Sequence, residues 1–182
     1  MALKATIFKA DLQVADMDRH YYADHALTIA RHPSETDERM MVRLLAFALH
    51  AHDGLAFGKG LSTDDEPDLW QKDLTGAIEK WIDVGQPDDR RLLKACGRAE
   101  QVIVYSYSNT SNIWWNQIAG KLERARNLQV FNIPSAATTE LARIAKRTMQ
   151  LQCTVQDGQI WIADGDASVH LELDVLKARA SA

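Results

Sequence analysis

The chain has 182 residues, 46% hydrophobic and 25% charged, with a formal net charge of -4. That is enough for a real core, ordinary for a globular protein, and short of any apolar run of the roughly 18 residues that would span a bilayer. Charges scattered through MALKATIFKADLQV argue against a secretory signal. With Cys96 and Cys153 far apart and read as reduced, this predicts a cytoplasmic protein, away from membranes, folded as a single domain over residues 1–182.

Residues 3–14 alternate with a slip of phase. Leu3, Ala5 and Ile7 share one parity, while Phe8, Ala10, Leu12 and Val14 share the other. This predicts a long strand with a bulge near residues 7–8. After the turn DMDR, residues 21–30 alternate again, with Tyr21, Ala23, Leu27 and Ile29 on one face, so the two runs read as an antiparallel hairpin. Pro33 then stops the strand. Ser34 is a good N-cap, and Glu35, Asp37 and Glu38 place negative charge in the first turns of a helix. Its apolar stripe is Met41, Leu44, Leu45, Ala48 and Leu49, and Asp53–Gly54 ends it. Residues 55–65 read as a loop.

Two short strands follow, joined by a turn near KDLTG; the second contains WIDVG. Pro87 and Asp88 open the next helix. VIVYSY (102–107) is apolar throughout, as in a buried parallel strand. TSNIWWNQIAGKLERAR reads as a helix capped near Ser111, LQVFNIP as a buried strand, and SAATTELARIAKRTM as another helix. The tail from LQCTVQ to LELDVL reads as three short strands, with Asp157–Gly158 as a hairpin signal. Strands alternating with helices predict an α/β domain with a mixed central sheet. Residues 78–84, 102–107 and 128–133 should be parallel neighbours, with the hairpins adding antiparallel strands.

Asp83 is the residue that asks for an explanation. It sits in an otherwise apolar strand, and an unpaired buried carboxylate costs several kcal/mol. A basic partner, a group of backbone N–H donors or a cation must offset that cost. Asp68 opens the preceding strand, and two carboxylates on adjacent strand ends make a hard-oxygen site suited to Mg²⁺. Glu38, beside the stripe of the first helix, is placed to supply a third acid. The plainer alternative is that Asp68 caps a turn, Asp83 is salt-bridged to an arginine, and Glu38 is a first-turn helix acid.

Charge is also segregated. Residues 90–150 hold 10 Lys and Arg against 3 Asp and Glu, so an acidic total leaves a polyanion partner open, beside the plainer reading of solvated helix faces. Arg90, Arg91, Lys94 and Arg98 recur along one helix. Other constellations point nowhere specific. His50 and His52 fall on different helix faces, the cysteines form no CxxC, and GLAFGKGLS lacks the order of a phosphate loop. Trp114–Trp115 reads as one buried ring and one covering ring rather than a base-stacking face.

The stretches HPSETDERMMVRLLAFALHA, EPDLW, WIDVGQPDDRRLLKACGRA and VIVYSYS resemble the PD-(D/E)XK nuclease superfamily, and more closely its YaeQ family, over essentially the whole chain. The resemblance implies a restriction-endonuclease-like core: a mixed, strongly curved central sheet with flanking helices and added antiparallel strands. It implies Mg²⁺ held by Asp68 and Asp83 with a backbone carbonyl near Val84, and Glu38 as the helical acid. It also implies hydrolysis of DNA or RNA phosphodiesters. The superfamily's lysine, two residues after the second acid, is replaced here by Gly85. Gln86 or Lys94 would then have to orient the attacking water, with Arg90, Arg91 and Arg98 on the nucleic-acid backbone. The competing expectation is a non-catalytic nucleic-acid- or protein-binding module that lost its chemistry with the lysine.

Overall fold

A computed structural model describes residues 4–59 and 65–180. In chain order it contains β1 (Thr6–Asp16), β2 (Tyr21–Arg31), α1 (Asp37–Leu49), β3 (Leu55–Phe57), β4 (Leu69–Lys72), β5 (Ile78–Val84), α2 (Asp89–Arg98) and β6 (Ala99–Tyr107). Then come α3 (Ser111–Ile118), a 3-10 turn (Ala119–Leu122), β7 (Leu128–Ile133), α4 (Ser135–Arg143), β8 (Thr148–Gln156), β9 (Gln159–Ala163), β10 (Ser168–Glu172) and β11 (Asp174–Lys177). The fold is mixed α/β, with four α-helices and two mixed sheets among the described residues. The chain divides into two compact units, Met1–Ala51 with Ala136–Glu172, and His52–Ser135 with Leu173–Ala182. No helix among the described residues is long and apolar enough to cross a membrane.

The first unit carries a sheet in the order β10-β9-β8-β1-β2. The expected hairpin of β1 and β2 is present, but without a bulge. Its pairs run unbroken from Thr6–Arg31 to Asp16–Tyr21. Phe8, Ala10, Leu12 and Val14 are buried, and Ile7 faces solvent. A lone exposed apolar residue costs little, so the parity slip is an outward isoleucine rather than an inserted residue; Leu3 lies outside the described residues. The tail supplies β8, which pairs in parallel with β1, so the N-terminal hairpin and the tail build a sheet of their own. This is why two sheets stand where a single central one was expected.

Helix α1 is capped by Thr36, whose hydroxyl accepts from the Arg39 N–H at 3.1 Å; Ser34, the expected cap, bonds His32 instead. The helix ends at Leu49, short of Asp53–Gly54. Every residue from Met40 to Leu49 is buried, not only the predicted stripe. That includes Arg43, which is paired with a buried Glu35.

The second unit carries a sheet in the order β11-β7-β6-β5-β4-β3. As the sequence predicted, β5, β6 and β7 are parallel neighbours, while β3, β4 and β11 add antiparallel strands. β3 lies in the segment read as a loop, of which residues 60–64 lie outside the described residues. The tail holds four strands rather than three, because β11 leaves its neighbours to pair with β7. Val102 and Val104 face one side of β6 and Ile103 and Tyr105 the other, and all are buried, as expected of strands covered on both faces. The core on one face joins Trp81, Val102, Val104, Leu128 and Val130 to Leu92 and Ala95 of α2 and to Trp114, Ile118 and Leu122. Helix α3 is shorter than its sequence suggested and tightens into the 3-10 turn at Ala119. Trp114 is the buried ring of its pair, as expected.

Candidate functional site

Trp81 and Asp83 lie two residues apart on β5 and so share one face, toward α2. Helix α2 begins where Asp88, its N-cap, accepts from the Arg91 N–H at 2.8 Å. This cap sets the first turn so that the Arg91 side chain returns to β5. Arg91 Nε donates to Asp83 Oδ2 at 2.9 Å, and Nη2 donates to Asp83 Oδ1 at 3.0 Å. The same Nη2 also donates to the Glu66 carbonyl at 2.9 Å. The Asp83 side chain is only 2% exposed, and that of Arg91 is 24% exposed. Burial pushes the Asp83 carboxyl above its ordinary range; the Arg91 bonds pull it down, and the charge of Asp68 adds to the rise.

Asp68 precedes β4 by one residue, and the Leu69–Ile82 pairing puts it against Asp83 across the hairpin. The sequence therefore brought these two acids together correctly. Asp68 is buried and accepts from the Val84 N–H at 2.8 Å. Glu38 belongs to the first unit, where it is half-buried and accepts from the Thr138 hydroxyl at 3.1 Å.

At Gly85 the chain turns with φ +103°, and a side chain there would meet nothing within 4 Å. The left-handed backbone, not crowding, favours glycine. Gln86 is exposed and its amide donates to Thr110 Oγ1 at 2.9 Å and Ser108 Oγ at 3.3 Å. Lys94 reaches the exposed Asp65 at 3.4 Å. Arg98 donates to the Asp65 carbonyl at 3.1 Å and lies 5.1 Å from the centre of the Trp81 ring, a cation–π distance. Arg90 is exposed beside them, and a pocket of about 290 Å³ is lined by Asp88, Arg90, Arg91 and Lys94.

These residues do not fit a divalent ion as they stand. Both oxygens of Asp83 are taken by a guanidinium, and one oxygen of Asp68 is committed to a backbone amide. Among the described residues, no group of three or more His, Cys, Asp or Glu is arranged to hold a metal ion. The partner of Asp83 is the plainer alternative weighed from the sequence, now with a name. The signal was an arginine eight residues beyond the buried acid, in the first turn of the helix that folds back over its strand.

The thiols lie apart from this chemistry. Burial pushes Cys96 up to about 11 and Cys153 up to about 12, so both stay protonated and unreactive near neutral pH.

A family model described as YaeQ protein matches residues 1–173. "Uncharacterized protein YaeQ" of Salmonella typhi is 47% identical over 174 residues, 95% of this chain and 96% of that protein. The protein of the same name from Escherichia coli (strain K12) is 45% identical with the same coverage. The crystal structure of YaeQ protein from Xanthomonas axonopodis pv. citri superposes with a TM-score of 0.93 at 49% identity, covering 97% of this chain and 99% of that one. The YaeQ protein of Pseudomonas syringae gives 0.92 at 35% identity, covering 96% and 97%.

Proposed function

The chain belongs to the YaeQ family, and we propose that its second unit is a non-catalytic module that binds the phosphate backbone of DNA or RNA. The observation that carries this reading is the pocket on α2, lined by Arg90, Arg91 and Lys94, next to a strand end where glycine replaces the expected lysine. Arg90 and Lys94 are four residues apart and share a helix face. Both are exposed; Arg90 meets phosphate oxygens directly and Lys94 by exchanging its solvent-exposed contact with Asp65, while Arg91 supplies a fixed charge. A hydrolytic site would need an ion between Asp68 and Asp83 and a group to orient water. Arg91 takes the first place, and Gln86 and Lys94 are engaged elsewhere. Kinship with PD-(D/E)XK nucleases and a strongly curved, restriction-endonuclease-like core belong to the same proposal. On that view the fold outlived its chemistry.

The rival reading is a Mg²⁺-dependent nuclease, favoured by the juxtaposition of Asp68 and Asp83. One experiment separates the two. Labelled single- and double-stranded DNA and RNA are titrated with protein, first in EDTA across a salt series and then with Mg²⁺ or Mn²⁺ while cleavage is followed. The binding module binds in EDTA with a salt-dependent affinity. Arg90→Ala with Lys94→Ala lowers the log–log salt slope by about 1 per contact removed. Neither metal produces cutting. Cleavage that Asp83→Ala abolishes overturns the proposal in favour of the nuclease, and no binding in EDTA removes it outright.

A further inference from the structure

We infer that Arg91 is a resident cation occupying the place of a divalent ion, so that the Asp68–Asp83 pair takes a metal only when that guanidinium is removed. The inference rests on the carboxylate geometry alone and holds whether or not the protein binds nucleic acid.

Three observations carry it. First, each oxygen of Asp83 accepts a bond from Arg91, Oδ2 from Nε at 2.9 Å and Oδ1 from Nη2 at 3.0 Å. The planar guanidinium fork matches a carboxylate edge with two parallel bonds, which an ammonium cannot do. An ion seeking the same oxygens would meet a fixed positive charge within contact distance. Second, the fork is itself anchored. The Glu66 carbonyl accepts from Nη2, the Asp88 cap fixes the Arg91 backbone, and the guanidinium lies 5.7 Å from the Trp81 ring centre. Withdrawal of Arg91 therefore breaks several contacts at once rather than a single exposed ion pair. Third, what remains without Arg91 is two facing carboxylates of like charge at a strand end. One of them is almost wholly buried. Such a pair, with a guanidinium-sized gap opening on the α2 pocket, is a set of hard oxygens that calls for a small divalent cation.

The residues thus disagree with the ion that the motifs imply, and the disagreement is specific. The acids are retained, but the positive charge that satisfies them comes from the chain. Arg91 is a positioning residue for Asp83 here, not a catalytic one.

The test is Mn²⁺ binding without nucleic acid, so its outcome is separate from that of the backbone-binding proposal. Free Mn²⁺ is followed by electron paramagnetic resonance. Paramagnetic broadening of the Val84 amide, which donates to Asp68, is read in a ¹⁵N spectrum. In the wild-type protein, millimolar Mn²⁺ leaves the Val84 amide sharp and the melting temperature unmoved. Arg91→Ala binds Mn²⁺ at least tenfold more tightly, broadens Val84, and melts several degrees higher with the ion than without it. Arg91→Ala combined with Asp83→Asn loses all three responses. Should Arg91→Ala fail to fold with or without Mn²⁺, Arg91→Gln, which keeps an amide donor over the buried acid, is read in the same way. Broadening of Val84 in the wild-type protein overturns the inference, because the guanidinium then steps aside for the ion. So does binding in the Arg91 variants no tighter than in the wild type.

Discussion

In each unit a buried acid is clasped by an arginine eight residues later, Glu35 by Arg43 and Asp83 by Arg91, and the two pairs are put to different use. In the first unit Glu35 is 2% and Arg43 is 4% exposed. Arg43 Nη2 donates to Glu35 Oε1 at 2.6 Å, and its Nε donates to Oε2 at 2.9 Å. Arg39 adds a second cation at 2.7 Å, and the Ala30 carbonyl takes a further Arg43 proton. The Glu35–Arg43 pair is closed off from solvent, while Arg39 is 16% exposed. In the second unit Asp83 is as deeply buried as Glu35, but Arg91 keeps about a quarter of its side-chain surface open, facing a pocket. A buried carboxylate is therefore poor evidence of function by itself. What separates the pairs is whether the cation has an outer face. A sealed pair fixes the packing of a helix, whereas an open one presents charge to whatever enters the pocket.

The sealed pair gives the largest expected effect. Glu35→Gln leaves the Arg43 guanidinium buried without its counter-charge, and losing one partner of such a pair costs about 3–5 kcal/mol. The midpoint of urea unfolding should fall accordingly. Asp83→Asn is the matching change in the second unit. It keeps the shape and one acceptor, and the guanidinium left behind can turn toward solvent. The expected loss is about 1.5–3 kcal/mol, typical of a hydrogen bond to a charged group. If the two substitutions cost the same, or if their order is reversed, the contrast between sealed and open pairs is broken.

Much of this was legible in the sequence, and the exceptions have physical causes. Period and punctuation placed β5, β6 and β7 as parallel neighbours, because apolar strands separated by helical segments leave few other arrangements. The hairpin around KDLTG put Asp68 and Asp83 on neighbouring strands, but their direct opposition depends on a bulge between Gln71 and Lys72 that shifts the register by one. The partner of Asp83 was open, because a basic helix reads equally well as solvated or as folded back on its own strand; only the Asp88 cap and the rotation of the first turn decide it. Glu35 looked like an ordinary helix-opening acid. Its pairing with Arg43 was hidden because an arginine within an apolar helix reads as snorkelling. The division into two sheets was equally hidden, because the parallel partner of β1 lies beyond residue 147, and local periodicity carries no record of distant pairing.

The smallest expected effect lies in the turn that joins β4 to β5. Asp73 Oδ1 accepts from the Thr75 N–H at 2.8 Å, the Thr75 hydroxyl at 2.6 Å and the Ala77 N–H at 3.0 Å. The Thr75 hydroxyl, then the Thr75 backbone amide, hold the Asp73 carboxyl below its ordinary value, with the Ala77 and Gly76 amides helping and desolvation opposing. The folded state thus binds this proton less readily than the unfolded chain. The stabilisation is complete above the ordinary aspartate value and is lost as pH falls through the lowered one. Asp73→Asn should therefore unfold at slightly lower urea than the wild type near neutral pH, and the gap should close on acidification, when the wild-type side chain is itself uncharged. The turn is fully solvated, so the difference should be far below that at Asp83. Turn and ion pair would then be separable: the ¹⁵N spectrum of Asp73→Asn should keep the Val84 amide where the Asp68 bond holds it. A gap that widens toward acid would mean that Asp73 stabilises the hairpin in its protonated form.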